Sequence, residues 1–509
     1  MNDAKGMAQK TVISLLWMGY GKGGQSLLRV LALVILARLL TPEDFGVVGA
    51  AVVVVEFCGI FSQLGLGPAL VQRRELEPRH VQTAFAVSLA FGVVIGAAIW
   101  LSAPVVATFF RTESVEPVIR ALAWVFPVKG LSVVAESLLQ RDLRFRWLAN
   151  VDVIAYAAGY GVVGIGLAAA GFGVWALVGA TMCESIGRTC ILLVTHPPPR
   201  RLLPEKRAFM ELMYFGGGFT TARFAGDLAL QGDKLVVGRW LGPAALGLYG
   251  RAYELMARPA ALFGQILDDV LFPTMARVQG DLPRLAAAYR RGVALIALVM
   301  LPTSVMLFLL APEVIYLVLG PKWADVTVPF QILTVGMLLR TSYKMSDSLV
   351  RATGAVYRRA WRQLIYAFLV IAGAWIGQHW GIAGVALGVL GALAVNFVLM
   401  AQLGLREAQM TWGTFGRAHL PALMLAAASG GVVWVVAGLL RQGGAHPGAL
   451  VLAAMSAALV CAMVVTWCAP RLFLGPDGLW ILEVLRSFVP KPSNRSARPK
   501  EEPVFCQVP

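Results

Sequence analysis

Long apolar runs, repeated along most of the chain, restrict its fold more than any other feature of the sequence. About twenty helical residues cross the hydrocarbon core of a bilayer, and apolar runs of that length recur throughout the 509 residues. Hydrophobic residues make up 58% of the chain and charged residues only 14%, whereas a soluble domain carries roughly 25% charged residues. A membrane barrel would instead require alternating segments of about ten residues. The sequence therefore predicts an all-α integral membrane protein.

The spacing of the runs predicts about 14 transmembrane helices. The predicted spans lie near residues 11–38, 45–70, 82–110, 116–140, 148–170, 173–195, 209–241, 245–275, 288–319, 326–351, 361–379, 381–404, 416–440 and 447–469. The predicted units are an N-terminal lobe at 1–195, a cytoplasmic linker at 196–208, a C-terminal lobe at 209–404, two additional helices at 405–470, and a polar, partly disordered cytoplasmic tail at 471–509.

The distribution of basic residues between the loops predicts the orientation of the chain. If the N-terminus is cytoplasmic, the loops on that side contain most of the loop arginines and lysines, and the net charge of +16 has an explanation without nucleic acid. Basic loops stay on the cytoplasmic side of a membrane, so both termini are predicted to be cytoplasmic. The opposite loops contain only Arg38, Arg111, Arg239, Lys322 and Arg441.

A short motif occurs twice at equivalent places in the two predicted lobes. Residues 37–46 and 238–247 share Arg, Leu, Pro and Gly, with a constant offset of 201 residues between Arg38 and Arg239. Each copy can be explained locally, as a helix end followed by a proline-started helix. Both copies nevertheless follow the first span of a lobe, and the offset contains an even number of spans. We therefore predict a duplication with both halves in the same orientation, an arrangement used by transporters.

Charged side chains within the predicted spans are the candidates for function, because a charge at the bilayer centre costs about 2.5–3.5 kcal/mol. They form polar stripes at helical spacing on a few spans, and bases outnumber acids. A cationic cleft suits an anionic substrate, since arginine and lysine bind phosphate oxygens. The predicted substrate-binding residues are Lys22, Arg29, Arg223, Lys234, Arg251, Arg258 and Lys344. The predicted cation-coupling residues are Glu56, Asp227, Glu254 and Asp347.

The same charges also have structural interpretations. Lys344 and Asp347 are close enough in sequence to form an ion pair, as are Arg223 and Asp227. Arg340 and Arg351 can extend toward the membrane interfaces. The adjacent acids Asp268 and Asp269 fit either a cation site or a polar helix end. No catalytic residue, metal site or cofactor is predicted, so we expect a protein that is not an enzyme.

Several segments of the sequence resemble one known family. The first half contains Ala37-Arg38-Leu39-Leu40, Pro42-Glu43-Asp44-Phe45-Gly46 and Gly65-Leu66-Gly67; the second contains Gly232-Asp233-Lys234-Leu235-Val236-Val237-Gly238-Arg239, Leu246-Gly247-Leu248-Tyr249, Phe272-Pro273 and Arg277. These segments resemble the polysaccharide transporter family, the Wzx-type oligosaccharide flippases of lipopolysaccharide and exopolysaccharide biosynthesis. That family is part of the multidrug/oligosaccharidyl-lipid/polysaccharide exporter superfamily.

The resemblance implies a flippase for an undecaprenyl-pyrophosphate-linked oligosaccharide. It also implies two parallel six-helix lobes around a central cleft plus two extra C-terminal helices. The cargo would move from the cytoplasmic to the periplasmic leaflet of the bacterial inner membrane by alternating access, coupled to H⁺ or Na⁺. The implied partners are this lipid-linked substrate, the membrane lipid and polysaccharide-assembly proteins, with no nucleic acid. Three alternatives remain at this point: a flippase for the peptidoglycan precursor lipid II, a drug or cation antiporter of the same superfamily, and a membrane polysaccharide polymerase. The polymerase is the least favoured, because the outer loops are short and contain no paired acids.

Overall fold

The computed structural model describes residues 26, 28–63, 65–73, 75–199 and 204–480. All regular structure in these ranges is helical, as predicted. In the first half the helices are α1 (28–39), α2 (Pro42–Gln63), α3 (Leu66–Gln72), α4 (Pro78–Phe110), α5 (Val115–Ala123), α6 (Val125–Arg141), α7 (Phe145–Ala169) and α8 (Val174–Thr195). In the second half they are α9 (Lys206–Trp240), α10 (Gly242–Arg277), α11 (Leu282–Leu309), α12 (Ala311–Val318), α13 (Thr327–Val335), α14 (Met337–Ala352), α15 (Val356–Gly377), α16 (Gly381–Glu407), α17 (Trp412–Gln442), α18 (Pro447–Cys468) and α19 (Pro470–Phe473).

Eight segments of the described chain are long and apolar enough to cross a bilayer, which supports the membrane class predicted from composition. The eight are Pro78–Phe110, Val115–Arg141, Phe145–Ala169, Val174–Thr195, Leu282–Leu309, Arg358–Glu407, Trp412–Gln442 and Pro447–Cys468. The set does not include α10, whose apolar sequence is interrupted by Arg251, Glu254 and Arg258. Such charges lower the mean hydropathy of a helix, so a helix that spans the membrane can be missing from this set. The count of about 14 spans and the division into lobes stay predictions.

The two copies of the repeated motif meet where α2 crosses α10. At the start of α2, the Thr41 hydroxyl accepts a hydrogen bond from the backbone N–H of Asp44 at 3.2 Å, and the Asp44 carboxylate accepts one from the backbone N–H of Thr41 at 2.9 Å, so the two residues cap the helix reciprocally. At the start of α10 the equivalent turn is made by Gly242, whose φ of +86° favours glycine. Different local chemistry therefore starts the two equivalent helices.

The crossing itself brings backbone against backbone. A Cβ atom at Gly46 would lie 1.6 Å from the carbonyl oxygen of Pro243, and one at Gly247 would lie 1.8 Å from the carbonyl oxygen of Pro42. Only glycine permits this approach, and small residues generally allow helices to approach closely in membranes. We call these four residues the glycine crossing. It lies at the N-terminal ends of α2 and α10, whereas the arginine-rich loops follow their C-terminal ends.

At the same end of the molecule, residues from α12 and the following turn contact the first copy of the motif. The indole N–H of Trp323, which is fully buried, donates to the carbonyl oxygen of Ala37 at 2.8 Å. The Arg38 guanidinium donates to the carbonyl oxygen of Leu317 at 2.8 Å. Phe45 packs edge-on against Trp323, with ring centroids 5.4 Å apart. The first motif copy is thereby held against the second half of the chain.

At the opposite end, ion pairs attach the start of α9 to the first half. The Glu211 carboxylate pairs with Arg73 and lies 3.1 Å from Nε2 of the buried His80. Glu205 pairs with Arg79 at 3.2 Å. We call these five residues the α9 latch. Helix α9 is therefore tied to the first half at the end away from the glycine crossing.

The last helices pack on the second half of the chain. Helix α17 lies against α11, and α18 lies against α17. After α18 the chain turns back, and α19 contacts α17 and α18. The final described residues, 475–480, are helical and continue this turn.

Candidate functional site

A cavity of about 560 Å³ lies between the two halves, directly beside the glycine crossing. Six helices line it, namely α1, α2, α7, α8, α9 and α10. Its charged lining consists of Arg29, Glu56, Glu184, Lys234, Arg251, Glu254 and Arg258. We call it the central cavity. In the described lining four bases face three carboxylates, so the cavity carries excess positive charge.

Most of the predicted site residues that can be located lie in this cavity. Four of the predicted substrate-binding bases, Arg29, Lys234, Arg251 and Arg258, line it, and so do the predicted coupling residues Glu56 and Glu254. Three further predicted residues are outside the description: Lys22 precedes the described chain, and the side chains of Arg223 and Asp227 fall within its undescribed part.

The glutamate of α10 is shared by two arginines on the same helix. Glu254 pairs with Arg251 at 2.5 Å and also with Arg258. Arg251 in addition lies over the ring of Phe45, 4.6 Å from its centroid. One negative charge thus holds two guanidinium groups toward the cavity, and both are positioned to bind a further anion.

A second polar chain connects α2 with α9 across the cavity. The side-chain amide of Gln231 donates to the Glu56 carboxylate, and its oxygen accepts a 2.8 Å hydrogen bond from the Lys234 ammonium. That ammonium also lies 5.4 Å from the ring centroid of Tyr253. Glu56 and Lys234 are therefore linked through one amide that joins the two halves.

Aromatic residues and one acid complete the cavity, and the sequence analysis did not single them out. Tyr156 and Tyr160 stack with ring centroids 4.8 Å apart, and Arg29 lies 5.4 Å from the Tyr156 centroid. Tyr160 is part of a π-helical stretch of α7, Ala157–Gly164, a feature often found at functional sites. Glu184 projects from α8. The available signal was weak: two tyrosines one turn apart, and one acid on a helix whose only other charged residue is Arg188.

Two predicted residues, Lys344 and Asp347, lie instead in a second cavity of about 380 Å³. It is enclosed by α9, α10, α14 and α15, and its polar lining also includes Gln265, Asp268 and Tyr343. The predicted cleft residues thus line two cavities. The reason is that α10 has two polar faces, one toward the first half and the other, around Gly264 and Asp268, toward α14.

The ion pairs of the second cavity differ from the expected ones. Asp347 pairs with Arg351 at 3.3 Å and with Arg359, not with Lys344. Arg351 also pairs with Asp268 at 2.6 Å. Lys344 makes no ion pair with any residue that the structure describes. The four charges of the network are arranged around this lysine.

Arg340 contacts a residue of the central cavity. Its guanidinium donates to the hydroxyl of Tyr253 and lies 4.9 Å from the centroid of that ring. Tyr253 itself lines the central cavity. Arg340 therefore supports the wall between the central and the second cavity.

Comparison with known proteins is consistent with this arrangement. The sequence matches the family described as "Polysaccharide biosynthesis protein" over residues 35–328, more than half of the chain. The chain belongs to this family. The family resemblance found in the short motifs is thereby confirmed, and the matched range contains the described lining of the central cavity from Phe45 to Ala261.

Several relatives of this chain have names that refer to the biosynthesis of different polysaccharides. The chain is 28% identical over 309 residues to the succinoglycan biosynthesis transport protein ExoT of Rhizobium meliloti (strain 1021), covering 60% of this chain and 62% of ExoT. It is 24% identical over 402 residues to the lipopolysaccharide biosynthesis protein WzxC of Escherichia coli (strain K12), covering 77% of this chain and 80% of WzxC. It is 23% identical over 302 residues to the teichuronic acid biosynthesis protein TuaB of Bacillus subtilis (strain 168), covering 58% and 62% of the two chains.

Solved structures of transporters share the fold. The lipid II flippase MurJ in an inward closed conformation superposes with a TM-score of 0.73 at 13% identity, covering 90% of this chain and 100% of MurJ. An inward-facing multidrug resistance transporter of the MATE family and MOP superfamily superposes with a TM-score of 0.61 at 18% identity, covering 76% and 95%. At such identities the likeness concerns the fold alone.

Proposed function

We propose that this protein is a flippase that transfers an undecaprenyl-pyrophosphate-linked oligosaccharide across the bacterial inner membrane for surface or exopolysaccharide biosynthesis. The observation that carries the proposal is the central cavity with its excess of bases, situated between the two halves of a transporter fold. The names of ExoT and WzxC, from succinoglycan transport and lipopolysaccharide biosynthesis, support this class of cargo.

The central cavity suits the pyrophosphate of such a cargo. Arginine binds phosphate oxygens through a planar fork of N–H groups, and lysine acts as a point charge. Arg251 and Arg258 are held on one face of α10 by Glu254, and Lys234 faces them from α9. The four bases of the cavity outnumber its three carboxylates, so its net charge attracts the pyrophosphate. The isoprenoid chain would remain in the surrounding lipid.

The second cavity offers a place for the sugars of the cargo. Along α10 its lining begins at Gly264, one turn after Ala261 of the central cavity, so the two polar surfaces follow each other. Gln265, Gln363 and Tyr343 supply amide and hydroxyl groups for sugar hydroxyls. Lys344 would bind an acidic sugar. Under this proposal the cargo extends from one cavity into the other.

The glycine crossing supports alternating access with the cavity closed on one side. Backbone contact between α2 and α10 leaves no opening at the crossing. The loop charges assign that end to the periplasm, so this conformation would receive cargo from the cytoplasm. Among the coupling candidates, Glu254 and Asp347 are each engaged by two arginines. Glu56 accepts a hydrogen bond from Gln231, and all three acids stay candidates for coupling to H⁺ or Na⁺.

Reconstitution tests the proposal directly. Purified protein is placed in vesicles with a fluorescent undecaprenyl-pyrophosphate oligosaccharide, and its transfer between leaflets is followed under an imposed proton or sodium gradient. We expect transfer by the wild type, and a fall of about tenfold for Lys234→Gln because a charged hydrogen bond to phosphate is lost. Arg120→Gln is the control, since Arg120 pairs with Glu116 on the same helix, away from the cavity. Absence of transfer by the wild type would overturn the proposal.

The second candidate is a lipid II flippase, because the MurJ superposition covers nearly the whole chain. The two cargoes share the pyrophosphate and the isoprenoid chain, so the central cavity suits both. A strain depleted of its own lipid II flippase separates them. Growth of that strain on expression of this protein would favour lipid II, and loss of surface polysaccharide alone on gene deletion would favour the oligosaccharide. The excess of bases disfavours cationic drugs as cargo.

A further inference from the structure

A basic groove of about 350 Å³ lies away from both cavities, between α11, α17 and the C-terminal segment. We define the C-terminal segment as residues 470–480. The charged residues of the groove are Arg290 on α11, Arg417 on α17 and Asp477 on the C-terminal segment. It is situated at the end of the molecule that the loop charges assign to the cytoplasm. Neither the proposed cargo path nor the repeat accounts for this groove.

The C-terminal segment is fixed in place by the arginines of α11. Asp477, nearly buried, accepts two hydrogen bonds from Arg290 at 3.1 and 2.9 Å. Arg291 lies 3.9 Å from the ring centroid of Trp480. The turn within the segment requires Gly475, whose φ is +65° and whose Cβ would lie 2.8 Å from Cγ of Pro421. The groove therefore has a formed third wall.

The groove favours an anion, because one of its two arginines has its charge uncompensated. Asp477 is engaged by Arg290, whereas Arg417 is exposed and forms no ion pair with a described residue. Thr414 also lines the groove and lies in the first turn of α17. Its backbone N–H donates to the hydroxyl of Thr411, the residue that caps this helix. The positive end of the helix dipole adds to the attraction for a negative group.

The surroundings of the groove favour a lipid over a soluble anion. Its remaining lining is apolar and includes Ala294, Ala418 and Leu474. Outside it, Leu420 and Leu423 of α17 are each 50% exposed, on the surface that a bilayer would cover. A headgroup at Arg417 could thus keep its acyl chains along α17. Basic pockets between membrane helices on the cytoplasmic side commonly bind anionic lipid headgroups.

We propose that this groove binds the phosphate of an anionic glycerophospholipid of the cytoplasmic leaflet, through Arg417 and Arg290, with the acyl chains along α17. The site is separate from the cargo path, so the proposal stands or falls independently of the flippase function. Its consequence is that α17 and the C-terminal segment are joined by a lipid in addition to their direct contacts.

Native mass spectrometry of the purified full-length protein tests the site, with phosphatidylglycerol, phosphatidylcholine of the same acyl chains, and inorganic phosphate as separate probes. We expect phosphatidylglycerol to bind more tightly than phosphatidylcholine, and Arg417→Gln to weaken it about fivefold, the contribution of one arginine near a membrane surface. Arg417→Lys, which keeps the charge, should retain most of the affinity. Arg406→Gln is the matched control, because Arg406 is an exposed arginine in the last turn of α16, outside the groove.

Three results would overturn the proposal. One is equal binding of phosphatidylglycerol and phosphatidylcholine. Another is an equal loss of phosphatidylglycerol in Arg417→Gln and Arg406→Gln. The third is displacement of the bound lipid by millimolar inorganic phosphate, which would assign the groove to a free anion. Because Arg417 is exposed, its substitution leaves the packing of α17 intact, so a loss of binding reports on the groove.

Discussion

Glu254 has an unusual position, since it is an acid in the middle of a cavity proposed to hold an anion. Its carboxylate pairs with Arg251 and Arg258, and so both holds the two arginines and reduces their net charge. A cargo phosphate must compete with it for the same guanidinium groups. This competition would keep the affinity moderate and allow release of cargo on the far side.

Removing this acid should strengthen anion binding. We expect Glu254→Gln to bind pyrophosphate about tenfold more tightly than the wild type, because one competing charge-assisted interaction is lost. Isothermal titration of the detergent-solubilised protein measures the change. Glu313→Gln is the control, since Glu313 pairs with Arg441 at 2.8 Å outside the cavity. Equal affinities for the two variants would contradict the shared role of Glu254.

Lys344 is the residue with which the second cavity can be tested. We expect Lys344→Gln to slow the transfer of a lipid-linked oligosaccharide with an acidic sugar about tenfold, since a charge-assisted hydrogen bond is worth roughly 1.5–3 kcal/mol. Transfer of a neutral oligosaccharide should be unchanged. Vesicle transfer assays with the two cargoes give the ratio. Lys322→Gln, at an exposed lysine outside both cavities, should alter neither rate; an equal slowing of both cargoes by Lys344→Gln would exclude a sugar contact.

At the scale of elements, the contact between α2 and α10 determines whether the central cavity is closed at the crossing. The helices touch through Gly46 and Gly247, where an added methyl group would overlap backbone carbonyl atoms. Backbone cannot move aside as a flexible side chain can. The two helices must therefore separate if either glycine is replaced.

Alanine at the crossing should accordingly shift the protein away from this conformation. Overpacking costs typically 1–3 kcal/mol, so Gly46→Ala and Gly247→Ala should each change the ratio of closed to open molecules at least fivefold. Spin-label distances between the N-terminal ends of α2 and α10 measure this ratio. Gly49→Ala and Gly250→Ala are the controls on the same helices, because their Cβ atoms would meet nothing closer than 3.7 Å. Unchanged distances in Gly46→Ala would show that the crossing does not set the conformation.

At the scale of the whole molecule, α9 is held at two distant places. The α9 latch ties its start to the first half, and its last turns lie next to the glycine crossing, where Arg239 lies 5.5 Å from the ring centroid of Phe109. A transporter that alternates must open one of these regions while the other holds. We therefore expect the α9 latch to stay formed when the glycine crossing opens, and the glycine crossing to stay formed when the latch opens.

Weakening the latch should open the cytoplasmic end further. In Glu211→Gln the pair with Arg73 is lost, and we expect faster labelling of a cysteine introduced into the central cavity by a thiol reagent added from the cytoplasmic side. The increase should be severalfold, since a partly exposed ion pair contributes up to about 1 kcal/mol. Glu116→Gln, which removes a pair within α5 alone, should have no effect. Slower labelling in Glu211→Gln would contradict the latch.

Much of this molecule could be predicted from its sequence, for a physical reason. Charges in membrane helices are expensive, so those that remain mark the polar interior, and Arg29, Lys234, Arg251 and Arg258 do line one cavity. Helical periodicity states which residues share a face but not which helix that face meets. The pattern for that reason does not state that Lys344 lines the second cavity and not the central one.

Other features of the site could not be predicted from helical periodicity. Tyr160 belongs to a π-helical stretch, where the 3.6-residue repeat does not hold. Glu184 shares α8 with one other charged residue, Arg188, and two charges are too few to mark a polar stripe. The partners of Asp347 include Arg359, which is separated from it by the turn between α14 and α15. Such contacts depend on tertiary packing, and the sequence pattern of one helix does not contain them.

The glycine crossing also bears on how such a chain could arise. Pro42 and Pro243 are equivalent under the 201-residue offset, and so are Gly46 and Gly247. Each proline carbonyl faces the glycine of the other copy, which makes the contact isologous, like the interface of a symmetric homodimer. One half alone contains both members of the contact. Two copies of an ancestral half-length protein could therefore have formed this same crossing before their genes were joined.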